Sequence, residues 1–144
     1  MIRKATLEDV PQLVSLAIQM WESHTVEDLT KIFCEQIRKE KNIIFLAISK
    51  EHIVGFAQCG LRHDYVEGTN SSPVGYLEGI FVQEEYRKQG FAKQLLNYCE
   101  KWAKEKGCSE FASDCELDNE ISRQFHKNLG FDEANRIICF TKKI

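Results

Sequence analysis

The stretch YLEGIFVQEEYRKQGFA, residues 76–92, decides the fold of this chain. Its first part, Tyr76–Val82, predicts a strand, and a polar turn follows. Apolar residues then recur every three or four positions, which is typical of one face of a helix. That face contains Ala92, Leu95, Leu96, Cys99 and Trp102/Ala103. The first N–H groups of such a helix point outward without an intrahelical partner.

The turn itself, Arg87-Lys88-Gln89-Gly90-Phe91-Ala92, has the residue types of an anion site. Arg87 adds positive charge, Gly90 lets the backbone approach a ligand closely, and Ala92 keeps the turn clear. Together with the helix N-terminus, they can hold a phosphate or pyrophosphate. R-x-x-G-x-A is a weak signal by itself, because many helices begin near a glycine and an arginine. The Lys-Ser/Thr of a P-loop is missing, which disfavours a nucleotide triphosphatase.

Length and composition indicate a single globular domain spanning residues 1–144. The content of 43% hydrophobic and 28% charged residues is ordinary for a soluble protein. A net charge of −3 disfavours nucleic acid as the main partner and is compatible with a cationic substrate. No signal peptide and no apolar run of about 18–20 residues stands out, so we expect a cytoplasmic protein without a membrane segment.

The six cysteines are scattered without a C-x-x-C pair. Four of them, Cys34, Cys59, Cys99 and Cys139, lie in apolar patterns and are expected to be buried. The sequence therefore predicts reduced thiols, with neither a zinc site nor a disulfide framework. A cysteine nucleophile stays open as a less favoured alternative.

The rest of the chain predicts an α/β (α+β) fold with a mixed sheet and helices on both faces. The expected order is β-α-α-β-β-β-α-β-α-β-β. Trp21 closes the first helix, either as core or as an aromatic wall of a pocket, and periodicity favours core. The predicted elements are Ile2–Ala5, a helix from Val10 capped by Thr6 and Asp9, a helix over Val26–Ile37 ended by Arg38–Lys41, strands Ile43–Ser49, Ile53–Leu61 and Glu110–Asp114, a helix capped by Asp118 with Ile121, Phe125 and Leu129 on its face, and strands Phe131–Glu133 and Arg136–Thr141.

The order of elements and the R-x-x-G-x-A turn resemble the GCN5-related N-acetyltransferase (GNAT) superfamily. Asn119, His126 and Leu129-Gly130-Phe131 match its second signature: an asparagine before the helix, an aromatic seven residues on, and G-F at the end. Closer similarity is to bacterial aminoglycoside 6′-N-acetyltransferases. That similarity lies in Tyr65–Thr69, Ser72–Ile80, Glu110–Asp114 and Leu117–Asn119.

This resemblance implies direct acetyl transfer from acetyl-CoA to the 6′-amine of an aminoglycoside antibiotic, conferring resistance without a metal. It also implies a homodimer formed through the last strands. The implied coenzyme residues are Ile80, Phe81 and Val82 for the pantetheine arm, Arg87, Lys88, Gln89, Gly90, Phe91 and Ala92 for the pyrophosphate, and Asn119. The implied aminoglycoside contacts are Trp21, Tyr65, Glu78 and Asp114, with Asn135 where related enzymes have a glutamate.

The chemistry suits these residue types, because a polyamine calls for converging carboxylates and an aromatic surface. Glu78 acting through water is the first candidate for removing the ammonium proton, and Asp114 is the second. A backbone N–H near Val82 could stabilise the developing oxyanion. His126 occupies the position where many members have a tyrosine that protonates the leaving thiolate, and helix packing is an equal alternative for it. Two rival functions are acetylation of a polyamine or protein amine and non-catalytic binding of acetyl-CoA.

Overall fold

The computed structural model describes residues 1–39 and 42–144, so the end of the predicted charged run Arg38–Lys41 lies outside the described residues. One sheet contains five strands in sequence order. They are β1 (Ile2–Lys4), β2 (Asn42–Ser49), β3 (His52–Arg62), β4 (Val74–Val82) and β5 (Phe111–Ala112). Neighbours from β1 to β4 pair antiparallel, and β5 joins β4 in parallel. The predicted mixed sheet is confirmed, and most of its pairings are antiparallel.

Helices cover both faces of this sheet, as predicted. They are α1 (Val10–Met20), α2 (Val26–Arg38), α3 (Phe91–Glu105) and α4 (Glu120–Asn128). On one face, α1 and α2 pack against the sheet around Leu13, Phe33 and Phe56. On the other face, Leu95 and Cys99 of α3 are buried against the sheet. Successive strand residues point to opposite faces, so the buried strands β2 and β3 contribute to both cores.

The start of α1 is fixed by the predicted pair of Thr6 and Asp9. The backbone N–H of Thr6 donates to Asp9 Oδ2 at 2.8 Å, and the Arg3 guanidinium donates to both Asp9 oxygens at 2.7 Å. The hydrogen bond from Arg3 is the main reason that the pKa of Asp9 falls to about 2. This cluster ties β1 to the entry of α1.

A β-bulge in β4 places one residue out of register with β3. Cys59 pairs with Leu77, whereas the preceding Gln58 pairs with Gly79, so Glu78 has no residue opposite it. Bulges bend a strand and redirect a side chain, and they are frequent beside active sites. The acid singled out from the sequence is therefore the bulged residue itself.

The last two predicted strands, Phe131–Glu133 and Arg136–Thr141, are wrong for the single chain, because residues 131–144 contain neither helix nor strand. Strand β5 is also shorter than the predicted Glu110–Asp114. The apolar pattern that predicted the final strand is left in solvent, with Ile138 80% and Phe140 88% exposed. Cys139 is likewise exposed rather than buried. A strand needs a neighbouring edge, and within the described chain this segment pairs with none.

Helix α4 also departs from prediction in detail. Its N-cap is Asn119 instead of Asp118, since Asn119 Oδ1 accepts the Ser122 N–H at 3.0 Å. Ile121, predicted for the buried face, is exposed, while Phe125 and Leu129 are partly buried. The sheet beside α4 ends with the two-residue β5, which leaves a helix little surface to cover.

Candidate active site

The edge of β4 that faces β5 is open over part of its length. Pairing with β5 stops at Tyr76, and no described strand lies beside Leu77–Val82 on that side. The Gln83 N–H donates to Val54 O at 2.9 Å and so points toward β3. The Val82 carbonyl belongs to the same planar trans peptide and therefore points the opposite way, into the open edge. This edge offers backbone groups to an extended ligand.

The turn that ends this edge exposes a row of backbone amides. Gly90 is the N-cap of α3 with φ +87°, and the first helical bond runs from the Gln94 N–H to Gly90 O. In the described part of the chain, the N–H groups of residues 88–93 donate to no backbone acceptor. Arg87 Nε donates to the Val82 carbonyl at 2.9 Å, and its guanidinium carbon is 5.7 Å from the centre of the Phe81 ring, so this side chain lies against the end of β4. The outward-facing amides predicted from the sequence are present.

The two predicted acids lie on one side of the sheet and are joined by two further residues. Arg62 donates to both oxygens of Glu78 at 3.0 and 3.1 Å. Its guanidinium carbon lies 3.6 Å from the centre of the Tyr76 ring, and the Tyr76 hydroxyl donates to Asp114. Burial, followed by the bond to Asp114, raises the pKa of Tyr76, which keeps this phenol protonated. Glu78 and Asp114 therefore converge on a shared cluster.

Trp21 is a core residue that also lies next to the predicted acids. Its ring centre lies 6.2 Å from that of Phe33 and 6.0 Å from that of Phe56. A Cβ added to Gly79 would lie 2.7 Å from Trp21 Cζ2, so the indole packs directly on β4 next to Glu78. The core role favoured by periodicity is confirmed, and this core residue also borders the acid cluster.

The loop between β3 and β4 contacts the C-terminal segment. Tyr65 in this loop is 75% exposed, and its hydroxyl accepts the Gly68 N–H at 3.4 Å. The Asn135 side-chain amide donates to Glu67 at 2.7 Å, and a Cβ added to Gly68 would meet Ala134 at 2.4 Å. Thus Asn135, 68 residues away from Glu67 in sequence, lies against the loop that carries Tyr65.

His126 lies at the start of the open edge in a hydrogen-bonded chain. Its Nδ1 is 2.7 Å from the Ser122 carbonyl oxygen, which only accepts, so Nδ1 carries hydrogen. Its Nε2 is 2.8 Å from Ser113 Oγ, and Ser113 Oγ is 3.3 Å from the Leu77 carbonyl. With neutral His126, the serine donates to Nε2; with charged His126, Nε2 donates to the serine, which donates to Leu77. The single hydroxyl hydrogen of Ser113 therefore bonds either His126 Nε2 or the Leu77 carbonyl, depending on whether the ring carries a hydrogen on Nε2.

Sequence reasoning missed Arg62, Tyr76 and Ser113. Arg62 ends a strand and begins a polar loop, and Tyr76 lies two residues before Glu78, so a count of alternating strand faces would have placed Tyr76 near the acid. Ser113 carried no comparable signal. Its contact with His126 depends on how α4 is positioned, which no local pattern determines.

Within the described residues, neither a cysteine nucleophile nor a metal site stands out as a second candidate active site. Cys59, Cys99 and Cys108 are buried, and all six cysteines are unpaired thiols. A hydrogen bond with Cys59, together with burial, raises the pKa of Cys99 and makes it a poor nucleophile. Across residues 1–39 and 42–144, no three His, Cys, Asp or Glu side chains are close enough together to hold a metal ion. None of the described helices has the length and apolarity needed to cross a membrane.

Comparison with known proteins identifies a family for this chain. The profile of the Acetyltransferase (GNAT) family matches residues 8–131. An aminoglycoside N(6′)-acetyltransferase type 1 from Salmonella typhimurium is 41% identical over 126 residues, covering 87% of this chain and 86% of the relative. The enzyme of that name from Acinetobacter haemolyticus is 37% identical over 144 residues, covering 99% and 98%.

A solved structure is similar over the whole chain. The structure of AAC(6′)-Iy in complex with the bisubstrate analogue CoA-S-monomethyl-acetylneamine has a TM-score of 0.95 and 37% identity, covering 100% of this chain and 98% of that one. The fold, with its amide-rich turn between β4 and α3, defines the class, an N-acetyltransferase. The chain belongs to the GNAT family.

Proposed function

We propose that this protein transfers an acetyl group from acetyl-CoA to the 6′-amine of aminoglycoside antibiotics and so confers resistance to them. The observation that carries this proposal is the position of Glu78. It is the bulged residue of β4, it converges with Asp114, and it lies where β4 and β5 separate. A polycation bound by these acids would have its amine next to a thioester lying along the open edge.

The coenzyme is assigned to the open edge and the turn. Backbone groups of Ile80, Phe81 and Val82 would bind the pantetheine arm, since the Val82 carbonyl faces the open edge. The amides of residues 88–93 and Arg87 would bind the pyrophosphate, because unpaired helix N-terminal amides attract anions. Asn119 uses Oδ1 for capping, so it would offer its amide nitrogen to the coenzyme.

Glu78 and Asp114 are the two candidates for removing a proton from the acceptor. Acetyl-CoA supplies the acetyl group as a thioester. Glu78, through a water molecule, would take the proton from the 6′-ammonium, with Asp114 as the second candidate. The freed amine forms the amide bond as the carbon–sulfur bond breaks, and an N–H near Val82 would stabilise negative charge on the carbonyl oxygen. The leaving thiolate takes a proton, with His126, hydrogen-bonded to Ser113, as the candidate donor. The acetylated nitrogen releases its second proton, which replaces the one that His126 gave to the thiolate.

The acceptor surface is proposed to contain Trp21, Tyr65 and Asn135 beside the two acids. Tyr65 presents an exposed ring that can stack on a sugar. Asn135 is neutral, so it would contribute a hydrogen bond where a glutamate would contribute charge. This composition suits a small polycation better than nucleic acid, because the cluster itself is anionic.

We further propose that residues 1–144 form one domain, that the protein acts in the cytoplasm as a homodimer, and that the dimer forms through the end of the chain. Six unpaired thiols are typical of a reducing compartment. Ile138 and Phe140 expose apolar surface, and the described part of the chain leaves one edge of β5 open to a further strand. Light scattering on wild type and on Phe140→Lys tests the dimer, which the lysine should weaken.

The function is tested by following CoA release with a thiol reagent. The acceptors are two aminoglycosides that differ only in an amine or a hydroxyl at position 6′, and spermidine and a lysine peptide as rival acceptors. We expect turnover with the 6′-amine compound alone. Equal turnover of the 6′-hydroxyl compound would contradict the regiochemistry, and turnover of spermidine or the peptide alone would favour the rival acetyltransferases. Coenzyme binding without release of CoA from any acceptor would favour a binding module.

A further inference from the structure

A positive charge of the protein already lies against the acid that is proposed to bind the acceptor. The Arg62 Nη2 atom is 3.0 Å from Glu78 Oε1 and 3.1 Å from Oε2, and Nε is 3.3 Å from Oε1. The guanidinium also stacks on Tyr76 at 3.6 Å, while the Tyr76 hydroxyl donates to Asp114. A carboxylate and an aromatic face are the two groups that would recognise an incoming ammonium.

This arginine changes the charge that an acceptor meets. Glu78 and Asp114 carry two negative charges, and Arg62 cancels one of them. A polycation therefore approaches a cluster of net charge −1 as long as Arg62 stays in place, and of −2 once Arg62 has moved away. The arginine thus competes with the acceptor for Glu78.

The pair is also built to be exchanged. The side chains of Arg62 and Glu78 are 45% and 34% exposed, and pairs in such contact with water contribute little stability. The contrast is the Arg3–Asp9 pair, whose Asp9 side chain is only 11% exposed and which holds two elements together. Arg62 is the last residue of β3, so its side chain can turn toward the polar loop when it is displaced.

We infer that Arg62 occupies the acceptor's cation position in the free protein and must be displaced by an ammonium group of the acceptor. The inference rests on the proposed function for the identity of that acceptor. It makes Arg62 a specificity-determining residue, because a ligand has to bring enough positive charge to replace the guanidinium. A neutral sugar or a weakly charged monoamine would leave Arg62 on Glu78.

The kinetic test compares Arg62→Gln with Arg38→Gln in the full-length protein. Both changes remove one positive charge, and Arg38 makes no described ion pair at the end of α2. For a 6′-amino aminoglycoside, R62Q should lower KM about fivefold, the effect falling on KM rather than on kcat, because a competitor is lost. R38Q should change KM by less than about 1.5-fold. An unchanged or raised KM in R62Q would overturn the inference, since Arg62 would then be idle or hold Glu78 in its productive position.

A binding measurement separates this inference from the proposed function. The side-chain Nε–H resonance of Arg62, identified by its loss in R62Q, is followed by NMR during titration with kanamycin or spermidine without acetyl-CoA. We expect it to shift with either polycation and to stay in place with glucosamine. Suppose that kanamycin is acetylated, but that it does not shift the Arg62 resonance and its KM is the same in wild type and R62Q. The inference then fails and the function stands. If no aminoglycoside is acetylated while the resonance follows a polycation, the function fails and the inference stands.

Discussion

The turn proposed to bind the coenzyme and the acid cluster adjoin the same strand, yet they are constructed in opposite ways. The turn, residues 87–92, consists of consecutive residues, and its binding groups are backbone amides arranged by Gly90 and by the start of α3. The acid cluster consists of side chains from three places: Arg62 on β3, Tyr76 and Glu78 on β4, and Asp114 after β5. One region is local and made of backbone, and the other is distant in sequence and made of side chains.

Under the proposed function, this difference suits each region to a different substrate. Backbone amides change little when side chains change, so the turn suits a ligand that stays constant, such as a diphosphate. The acid cluster depends on every member's side chain, so single substitutions can change which cation it accepts. Substitutions in the acid cluster should thus affect the acceptor alone, and substitutions in the turn should affect the coenzyme alone.

The largest expected effect is that of Glu78→Gln. Glutamine fills the same space and can still accept from Arg62, but it can neither take a proton nor attract an ammonium group as a carboxylate does. We expect kcat/KM for a 6′-amino aminoglycoside to fall about 100-fold. Steady-state release of CoA measures this loss.

The matched control is Glu100→Gln on the exposed side of α3, which removes the same charge away from the site and should leave kcat/KM within about twofold. Binding of acetyl-CoA by calorimetry should be equal in all three proteins. A parallel tenfold loss of coenzyme affinity in Glu78→Gln would break the separation between the two regions.

The same contrast explains what the sequence could predict. The strand Tyr76–Val82, the turn and the apolar face of α3 were predictable because each is encoded by neighbouring residues and one helical period. The face of Leu95, Leu96, Cys99, Trp102 and Ala103 is buried as the spacing required. The pairing of Arg62 with Glu78 was beyond such reasoning, because it depends on the β3–β4 register and on a bulge at one residue.

At the end of the chain, by contrast, a pattern of neighbouring residues predicted a strand that does not form. The apolar composition of residues 136–141 suits the strand that was predicted there, but a strand also needs an edge to pair with. Nothing in the local pattern states whether that edge lies within the same chain. The cap of α4 was predicted one residue too early, at Asp118 instead of Asn119. Both residue types are good N-caps, and only the hydrogen bond from the Ser122 N–H to Asn119 distinguishes them.

A second prediction concerns stability, and it should leave both regions alone. Asp9→Asn removes the carboxylate that Arg3 and Thr6 bind at the entry of α1. The shift of the Asp9 pKa from 3.8 to about 2 corresponds to about 2 kcal/mol at neutral pH. Urea unfolding at pH 7 should show a loss of this size, with unchanged KM values for both substrates.

The pH dependence gives this prediction a sign. The folded-state pKa of Asp9 is depressed, so its contribution is fully present above about pH 4 and is lost as the pH falls toward 2. The stability difference between wild type and Asp9→Asn should therefore shrink over this window. A difference that is constant from pH 6 to pH 2.5 would show that lost packing, rather than the carboxylate, causes the effect.

A third prediction tests the backbone nature of the turn. Gly90→Ala forces a residue with a Cβ into φ +87°, although the nearest atom outside its neighbours is 3.9 Å from that Cβ. Strain of about 1 kcal/mol should rotate the amides and weaken acetyl-CoA binding about tenfold. Calorimetric titration with CoA measures the change.

Gly107→Ala is a close control at the other end of α3. Gly107 has φ +93°, and a Cβ there meets nothing within 4 Å, so the conformational cost is similar while the site is remote. Both variants should lose similar stability, and Gly90→Ala alone should lose coenzyme affinity. Equal affinities in the two variants would mean that the turn binds the coenzyme without its amides.

The smallest effect is expected from His126, which is hydrogen-bonded to Ser113, the residue before Asp114 of the acid cluster. A thiolate leaves readily near neutral pH, since a free thiol has a pKa of about 8.5, so losing its proton donor should cost little. We expect His126→Gln to lower kcat about threefold, with the release of CoA as the readout. Ser113→Ala should give the same reduction, because Ser113 is hydrogen-bonded to His126 in the chain that ends at Leu77. The double variant should then be no slower than either single one, since the effects of residues that act as a unit are not additive.

Two outcomes would contradict this prediction. If the effects of the two substitutions multiply, Ser113 and His126 act separately. If His126→Gln loses about 100-fold in kcat at an unchanged melting temperature, His126 is the essential acid.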